Sequence, residues 1–192
     1  MSRDGQGRIG LSLGPRLVPN GGFLSDARAT GETIPGGGYG LAPAGLASFG
    51  YWLEDSLELS IEGGYSRDQY GVTGSAPWLL NGETIMASMR WAPWTNFDIW
   101  PYGGASFGYS LNSLTGPLNS TEEADGYGGA LFVGTGWDLS ERWGISLELR
   151  YTIASIIVPN LTHPFDVGGL SLLIGAYFIV PREPDSAAMP SE

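Results

Sequence analysis

The chain has 192 residues, twenty of them acidic and nine basic, the nine all arginine, for a net charge of −11. That length fits one domain; the absence of cysteine excludes disulfides, thiolate zinc sites and a cysteine nucleophile; and the lack of any basic stripe argues against a nucleic-acid partner. Thirty-one glycines and thirteen prolines accompany 42% hydrophobic and 12% aromatic residues, a mixture too apolar for disorder and suited to many short strands with glycine-rich turns. No apolar run reaches about 18 residues, so no transmembrane helix is expected. The opening Met-Ser-Arg-Asp-Gly-Gln-Gly-Arg lacks the apolar core of a secretory signal; if exported, the chain is expected to be a mature form carrying an added start methionine.

The first strand is expected from Gly7 to Val18, with Ile9, Leu11 and Leu13 alternating against Gly10, Ser12 and Gly14. Residues 19–36 are rich in Gly, Pro, Asn and Asp and read as a long loop. A weakly patterned second strand, Gly37 to Trp52, puts Tyr39, Leu41, Ala47, Phe49 and Tyr51 on one face, and Leu53-Glu54-Asp55 forms a short turn. The third sets Leu57, Leu59, Ile61 and Tyr65 against Glu58, Ser60, Glu62 and Ser66. After a loop over 67–81, the fourth sets Ile85, Ala87, Met89 and Trp91 against Thr84, Met86, Ser88 and Arg90.

A short turn, Pro93 to Asp98, leads to a fifth strand from Ile99 to Leu111, and an acidic loop over 112–125 to a sixth from Gly126 to Trp137. The seventh has the cleanest period of two: Trp143, Ile145, Leu147, Leu149, Tyr151 and Ile153 oppose Gly144, Ser146, Glu148, Arg150, Thr152 and Ala154. A loop over 155–167 precedes the eighth, Gly168 to Val180, with Leu170, Leu172, Ile174, Ala176, Phe178 and Val180 on one face. Eight strands whose connections alternate long and short, with both termini on the short-turn side, predict an all-β, antiparallel, up-and-down transmembrane β-barrel over residues 1–180, apolar side out and polar side in. Residues 181–192 are expected to be a Pro-rich periplasmic tail.

The aromatics fit this reading. Tyr51, Trp52, Trp91, Trp94, Trp100, Tyr102, Trp137, Trp143 and Phe178 all fall at strand ends beside the short turns, where rings favour the headgroup level, and they are expected to form a membrane girdle. Arg16, Glu58, Glu62, Arg90, Glu148 and Arg150 fall on the polar faces and are expected to form a bridged charge network in the lumen, because an eight-stranded interior is just wide enough to be filled by side chains and buried ions are costly unpaired. Pairing about a loop centred near residue 74 sets Glu58 opposite Arg90.

With these patterns in hand, the sequence resembles the small eight-stranded outer-membrane barrels of Gram-negative bacteria, the OmpA-like and OmpX-like group. The resemblance rests on Trp-Asp-Leu-Ser-Glu-Arg-Trp-Gly-Ile at 137–145, Leu-Glu-Leu-Arg-Tyr at 147–151 and a last strand whose outward face includes Phe178. It implies an outer-membrane location and a charge network that could act as a gate for small ions. One departure is that such barrels usually end on an aromatic, whereas Pro181 to Glu192 follows here.

Catalysis finds little footing. His163, the lone histidine, precedes a proline and lacks the His-Ser-Asn context of the lipid A deacylases that share this architecture. Gly10-Leu-Ser-Leu-Gly14 and Gly104-Ala-Ser-Phe-Gly108 lie within strands and not at a strand-to-helix elbow, and Gly36-Gly37-Gly38-Tyr39-Gly40 has no helix to complete a phosphate cradle. Glu122, Glu123 and Asp125 read as a solvated acidic loop before a cation site. Phe23, Leu24, Trp78, Leu79 and Leu80 are apolar for loops and would either meet a partner or fold over the barrel mouth. The expectation is a non-enzymatic, monomeric barrel without cofactor or metal. It contacts outer-membrane lipid, has a plugged polar lumen, and offers loops 19–36, 67–81, 112–125 and 155–167 to structural or protein partners. A narrow pore or small-ligand conduit is the alternative, and a lipid A-modifying enzyme the third reading.

Overall fold

The computed structural model describes residues 3–19, 39–70, 78–95, 97–115, 121–157, 165–166 and 168–181. Eight spanning strands run β1 (Gly7–Pro19), β2 (Tyr39–Glu54), β3 (Leu57–Tyr70), β4 (Trp78–Trp91), β5 (Ile99–Thr115), β6 (Thr121–Asp138), β7 (Trp143–Ile157) and β8 (Gly169–Val180). A two-residue strand, Phe165–Asp166, pairs with Ser155 and Ile156 at the upper end of β7. Each spanning strand is antiparallel to the next, and β8 pairs with both β7 and β1, so the sheet closes on itself. Closure leaves no free edge, which hydrocarbon requires because it offers backbone groups no hydrogen-bond partner.

The alternation dictates the faces. Leu13, Ile85, Phe107, Leu131 and Ile174 point outward and are exposed, with Leu13 at 64% and Phe107 at 67%. Their partners in alternation, among them Ser60, Glu62, Ser88, Ser106 and Ser171, are buried inside. An exterior apolar on every strand with a polar interior is the inverse of a water-soluble barrel, and only a lipid surround satisfies it.

The strands reach further than the polarity of the sequence predicts. β3 continues to Tyr70 and β4 begins at Trp78, β5 ends at Thr115 and β6 begins at Thr121, β1 reaches Pro19 and β7 reaches Ile157, so the expected loops 67–81, 112–125, 19–36 and 155–167 are in part strand. Arg67 pairs with Asn81, and Asn81 with Ser113. Backbone ladders do not depend on side-chain polarity, so polar residues mark where the wall leaves lipid, not where pairing stops. In consequence Glu123 and Asp125 are exposed positions of a strand, with Asp125 accepting a hydrogen bond from Tyr109. Leu80, expected in an apolar loop, is buried inside the barrel. Phe23, Leu24, His163 and the expected tail over 182–192 lie outside the described residues.

Leu11 on β1 faces Ala176 on β8 across the closing seam, both side chains outward. With no native cysteine to interfere, Leu11→Cys combined with Ala176→Cys is expected to oxidise to a disulfide in detergent, so that the chain boiled without reductant migrates differently from the same chain boiled with it. Failure of the pair to cross-link while a mismatched pair does so would contradict the seam.

Candidate functional site

The lumen carries the chemistry. Its centre is one unbroken chain of alternating charge running from Arg8 through Glu58, Arg90, Glu148 and Arg150 to Glu62. Arg8 donates to both carboxylate oxygens of Glu58, Nε to Oε2 at 2.9 Å and Nη2 to Oε1 at 2.8 Å. Arg90 Nη1 reaches the same carboxylate at 3.0 and 3.2 Å, while its Nη2 lies 3.4 Å from Glu148 Oε2. Arg150 donates from Nε to Glu148 at 2.8 Å and from both terminal nitrogens to Glu62 at 2.8 and 3.1 Å. Two-pronged guanidinium–carboxylate pairs of this kind are the strongest protein ion pairs, and the planar fork fixes both partners.

These six residues come from four strands, β1, β3, β4 and β7, so the chain ties walls that lie across the lumen from one another. All six are buried. The rings of Tyr102 and Phe132 cover the remaining guanidinium faces, Arg90 lying 4.4 Å from the first and Arg150 4.7 Å from the second, and Tyr102 donates to Glu148 at 3.1 Å. Glycine makes the fit possible: a Cβ on Gly50 would sit 2.2 Å from Glu58 Oε1, so any side chain there would push the carboxylate off its two arginines.

Above this layer Arg16 donates to Ser66 at 2.7 Å and faces Asp68 at 4.0 Å. The lumen charges thus balance, with Arg8, Arg16, Arg90 and Arg150 against Glu58, Glu62, Asp68 and Glu148, four against four. Two small cavities of about 50 and 20 Å³ lie beside Arg16, Ser66 and Thr84, room for a few waters at roughly 10–15 Å³ each. Toward the long-loop end, Val18, Ala42, Leu80, Leu114, Ala124 and Ile156 are buried alongside the polar Asp68 and Asn112, Asp68 pairing with Leu80 and Asn112 with Ala124 in the sheet.

The short-turn end is aromatic. Trp52 and Trp100 are each 1% exposed and Tyr102 is 6% exposed, all inside the barrel, so these three do not belong to the lipid-facing girdle in which the sequence reading grouped them. Alternation is the reason: Tyr51 points out, so Trp52 points in, and on β5 Ile99 and Pro101 point out, so Trp100 and Tyr102 point in. Position near a turn does not choose the face; parity does. Trp52 and Trp100 meet edge to face at 5.8 Å, and Trp100 meets Tyr177 at 6.0 Å. Outside, Tyr51, Trp91, Trp94 and Trp143 are exposed, with Trp137 and Phe178 half-buried and Trp143 stacked edge-on against Phe178 at 4.8 Å.

All six charges expected in the lumen are there, with Arg16 apart from the main chain. Sequence reasoning missed Arg8, Asp68, Arg3 and Asp138. Arg8 was legible, since it alternates with the outward Ile9. A loop expected from residue 67 hides Asp68, which lies in the strand that runs to Tyr70. Nothing in the local sequence signals that Arg3 is buried, because its place depends on a chain reversal before β1. Among the described residues no group of three or more His, Cys, Asp or Glu is arranged to hold a metal ion.

Glu58→Ala would leave two buried guanidinium groups short of an acceptor. It is expected to destabilise the barrel by about 3–5 kcal/mol in a denaturant titration in lipid vesicles, whereas Arg142→Ala at the exposed turn should cost less than about 0.5 kcal/mol. Equal small losses would show that the lumen chain contributes nothing to stability.

No family model matches the sequence, and none of the curated proteins matches it. Solved structures do match, at low sequence identity and nearly full length. Neisserial surface protein A is 15% identical, with 91% of this chain and 97% of that one covered and a TM-score of 0.60. OprG, an outer-membrane protein of Pseudomonas aeruginosa, is 18% identical over 92% of this chain and 96% of its own, with a TM-score of 0.59. Ail, the attachment invasion locus protein of Yersinia pestis, solved with the heparin analogue sucrose octasulfate, is 12% identical over 92% and 99%, with a TM-score of 0.55. This chain has the fold of the small eight-stranded β-barrels of bacterial outer membranes.

Proposed function

We propose that the protein is a non-enzymatic, non-conducting outer-membrane barrel whose specificity lies in its long loops, acting as a structural or partner-binding surface protein. The observation that carries this reading is the filled lumen. A six-membered ion chain crosses it, buried side chains of mixed polarity, Asp68, Leu80, Asn112 and Leu114 among them, fill it toward the loops, and an aromatic cluster closes it toward the short turns. A narrow pore would need a continuous aqueous path, and a gate would need a carboxylate free to change partners. Glu58 is instead held by two arginines at once, and releasing either leaves a buried ion without its partner, at a cost of several kcal/mol.

The charge balance adds the chemistry of the partner. The four lumen pairs cancel, so they contribute nothing to the net −11 of the sequence. Glu83, Glu123 and Asp125 lie on exposed strand positions toward the long-loop end, with Arg67 opposing them. Such a surface repels polysulfated ligands of the sort with which Ail was crystallised and favours cationic partners.

In planar lipid bilayers the detergent-refolded protein is expected to insert without steady conductance at either polarity, and liposomes carrying it should not swell in small sugars. Stable ohmic steps that change size on Glu58→Gln or Arg90→Gln would replace this reading with a gated pore.

A further inference from the structure

At the short-turn mouth the N-terminal segment folds back over the opening. Gly5, with a φ of 74°, makes the reversal in the left-handed region that glycine adopts without strain. The N–H groups of Arg3 and Asp4 donate to Asp55 Oδ1 at 2.6 and 3.2 Å. Gly5 N–H donates to the Trp52 carbonyl, and Trp52 N–H to the Gln6 carbonyl, both at 2.9 Å. This drives the Arg3 side chain inward until only 3% of the residue is exposed. Its guanidinium lies 4.2 Å from the Trp100 ring centre and 5.2 Å from that of Trp52, and it pairs with Asp138.

The acceptor is held in place without Arg3. Trp100 Nε1 donates to Asp138 Oδ1 at 3.2 Å and Tyr177 Oη donates to the same oxygen at 2.5 Å, so two fixed donors orient the carboxylate and leave Oδ2 for the guanidinium. Two indole faces beside an oriented carboxylate form a site for a flat, delocalised cation; a guanidinium stacks there and donates in plane, and an ammonium can do only part of this. The Asp138 side chain remains 27% exposed, so the site opens to the compartment beneath the barrel.

We propose that Trp52, Trp100 and Asp138 form a guanidinium-binding cage at the periplasmic mouth, occupied in the resting protein by its own Arg3. The N-terminal segment is thereby a latch. When it is lifted, the same cage takes an arginine side chain from another polypeptide, so the mouth of a barrel with a closed lumen becomes a docking point on the periplasmic side. Because Arg3 is a covalently tethered competitor, a free guanidinium meets an empty cage only when Arg3 is removed or loosened.

The test follows the Trp100 indole N–H resonance in detergent micelles, assigned through Trp100→Phe, during titration with ethylguanidinium. Potassium chloride at equal ionic strength is the control. R3A is expected to give a saturable shift with one ligand per barrel, the wild-type protein none over the same range, and R3A combined with D138N none. No shift in R3A, an equal shift in wild type, a shift retained in R3A/D138N, or the same shift with potassium chloride would each overturn the cage. If R3A does not refold to the heat-modifiable form, D55A, which loosens the tether and leaves Arg3 in place, should give a saturable shift where the wild type gives none. A D55A spectrum as unresponsive as the wild type would overturn the latch.

Discussion

An eight-stranded barrel has an interior too narrow for a channel and too wide to leave empty, and whatever fills it cannot be hydrated by bulk water. In this protein that constraint is met by the ion chain from Arg8 to Glu62, in which every carboxylate takes donors from a guanidinium and the two central arginines are each shared between two carboxylates. Much else follows from it. Gly50 is bare because Glu58 occupies its space, and Tyr102 and Phe132 point inward to cover the guanidinium faces that hydrogen bonds leave open. The chain also draws on β1, β3, β4 and β7 together, so it can form only after strands distant in sequence have closed into a ring.

The wall and the filling share one rule. A period of two sends each apolar residue to lipid and its neighbour to the lumen, so a one-residue slip anywhere would place arginines in hydrocarbon and leucines among ions. Register is therefore specified from both sides, by the membrane outside and by the ion chain inside. Small residues between the larger inner side chains let the filling interdigitate; a Cβ on Gly136, for example, would lie 2.4 Å from the Trp100 ring.

Most of this architecture is legible in the sequence because alternation is a strong signal in lipid. β7 could be read residue by residue, and a hairpin centred near residue 74 suffices to set Glu58 opposite Arg90, as the register has it. The failures are of two kinds. Polarity puts the strand ends where side chains turn polar, yet the ladder runs on past the lipid and takes Asp68 with it. Height groups Trp52, Trp100 and Tyr102 with the girdle, whereas parity turns them inward. The capture of Arg3 by two indoles and Asp138 is of another order, since it joins residues 135 positions apart through a reversal that no periodicity records. Fold alone does not fix function, and the low identity to solved barrels of like shape fits a wall that answers to lipid through its alternation and not through particular residues.

The lumen ions hold the barrel together through mutual satisfaction. The direct measurement is the unfolding free energy in lipid vesicles of a variant in which Arg8, Glu58 and Arg90 are all replaced by methionine, set beside Glu58→Met alone. Mutual satisfaction predicts that the triple variant is clearly more stable than the single one, because it removes the stranded guanidiniums together with their acceptor. Glu148, losing the 3.4 Å contact to Arg90, keeps Arg150 and Tyr102 as donors, and the packing of Arg90 on Tyr102 is given up as well. A triple variant as unstable as the single, or less stable, would mean that the pairs act independently and that the ion chain is not the constraint around which the barrel is built.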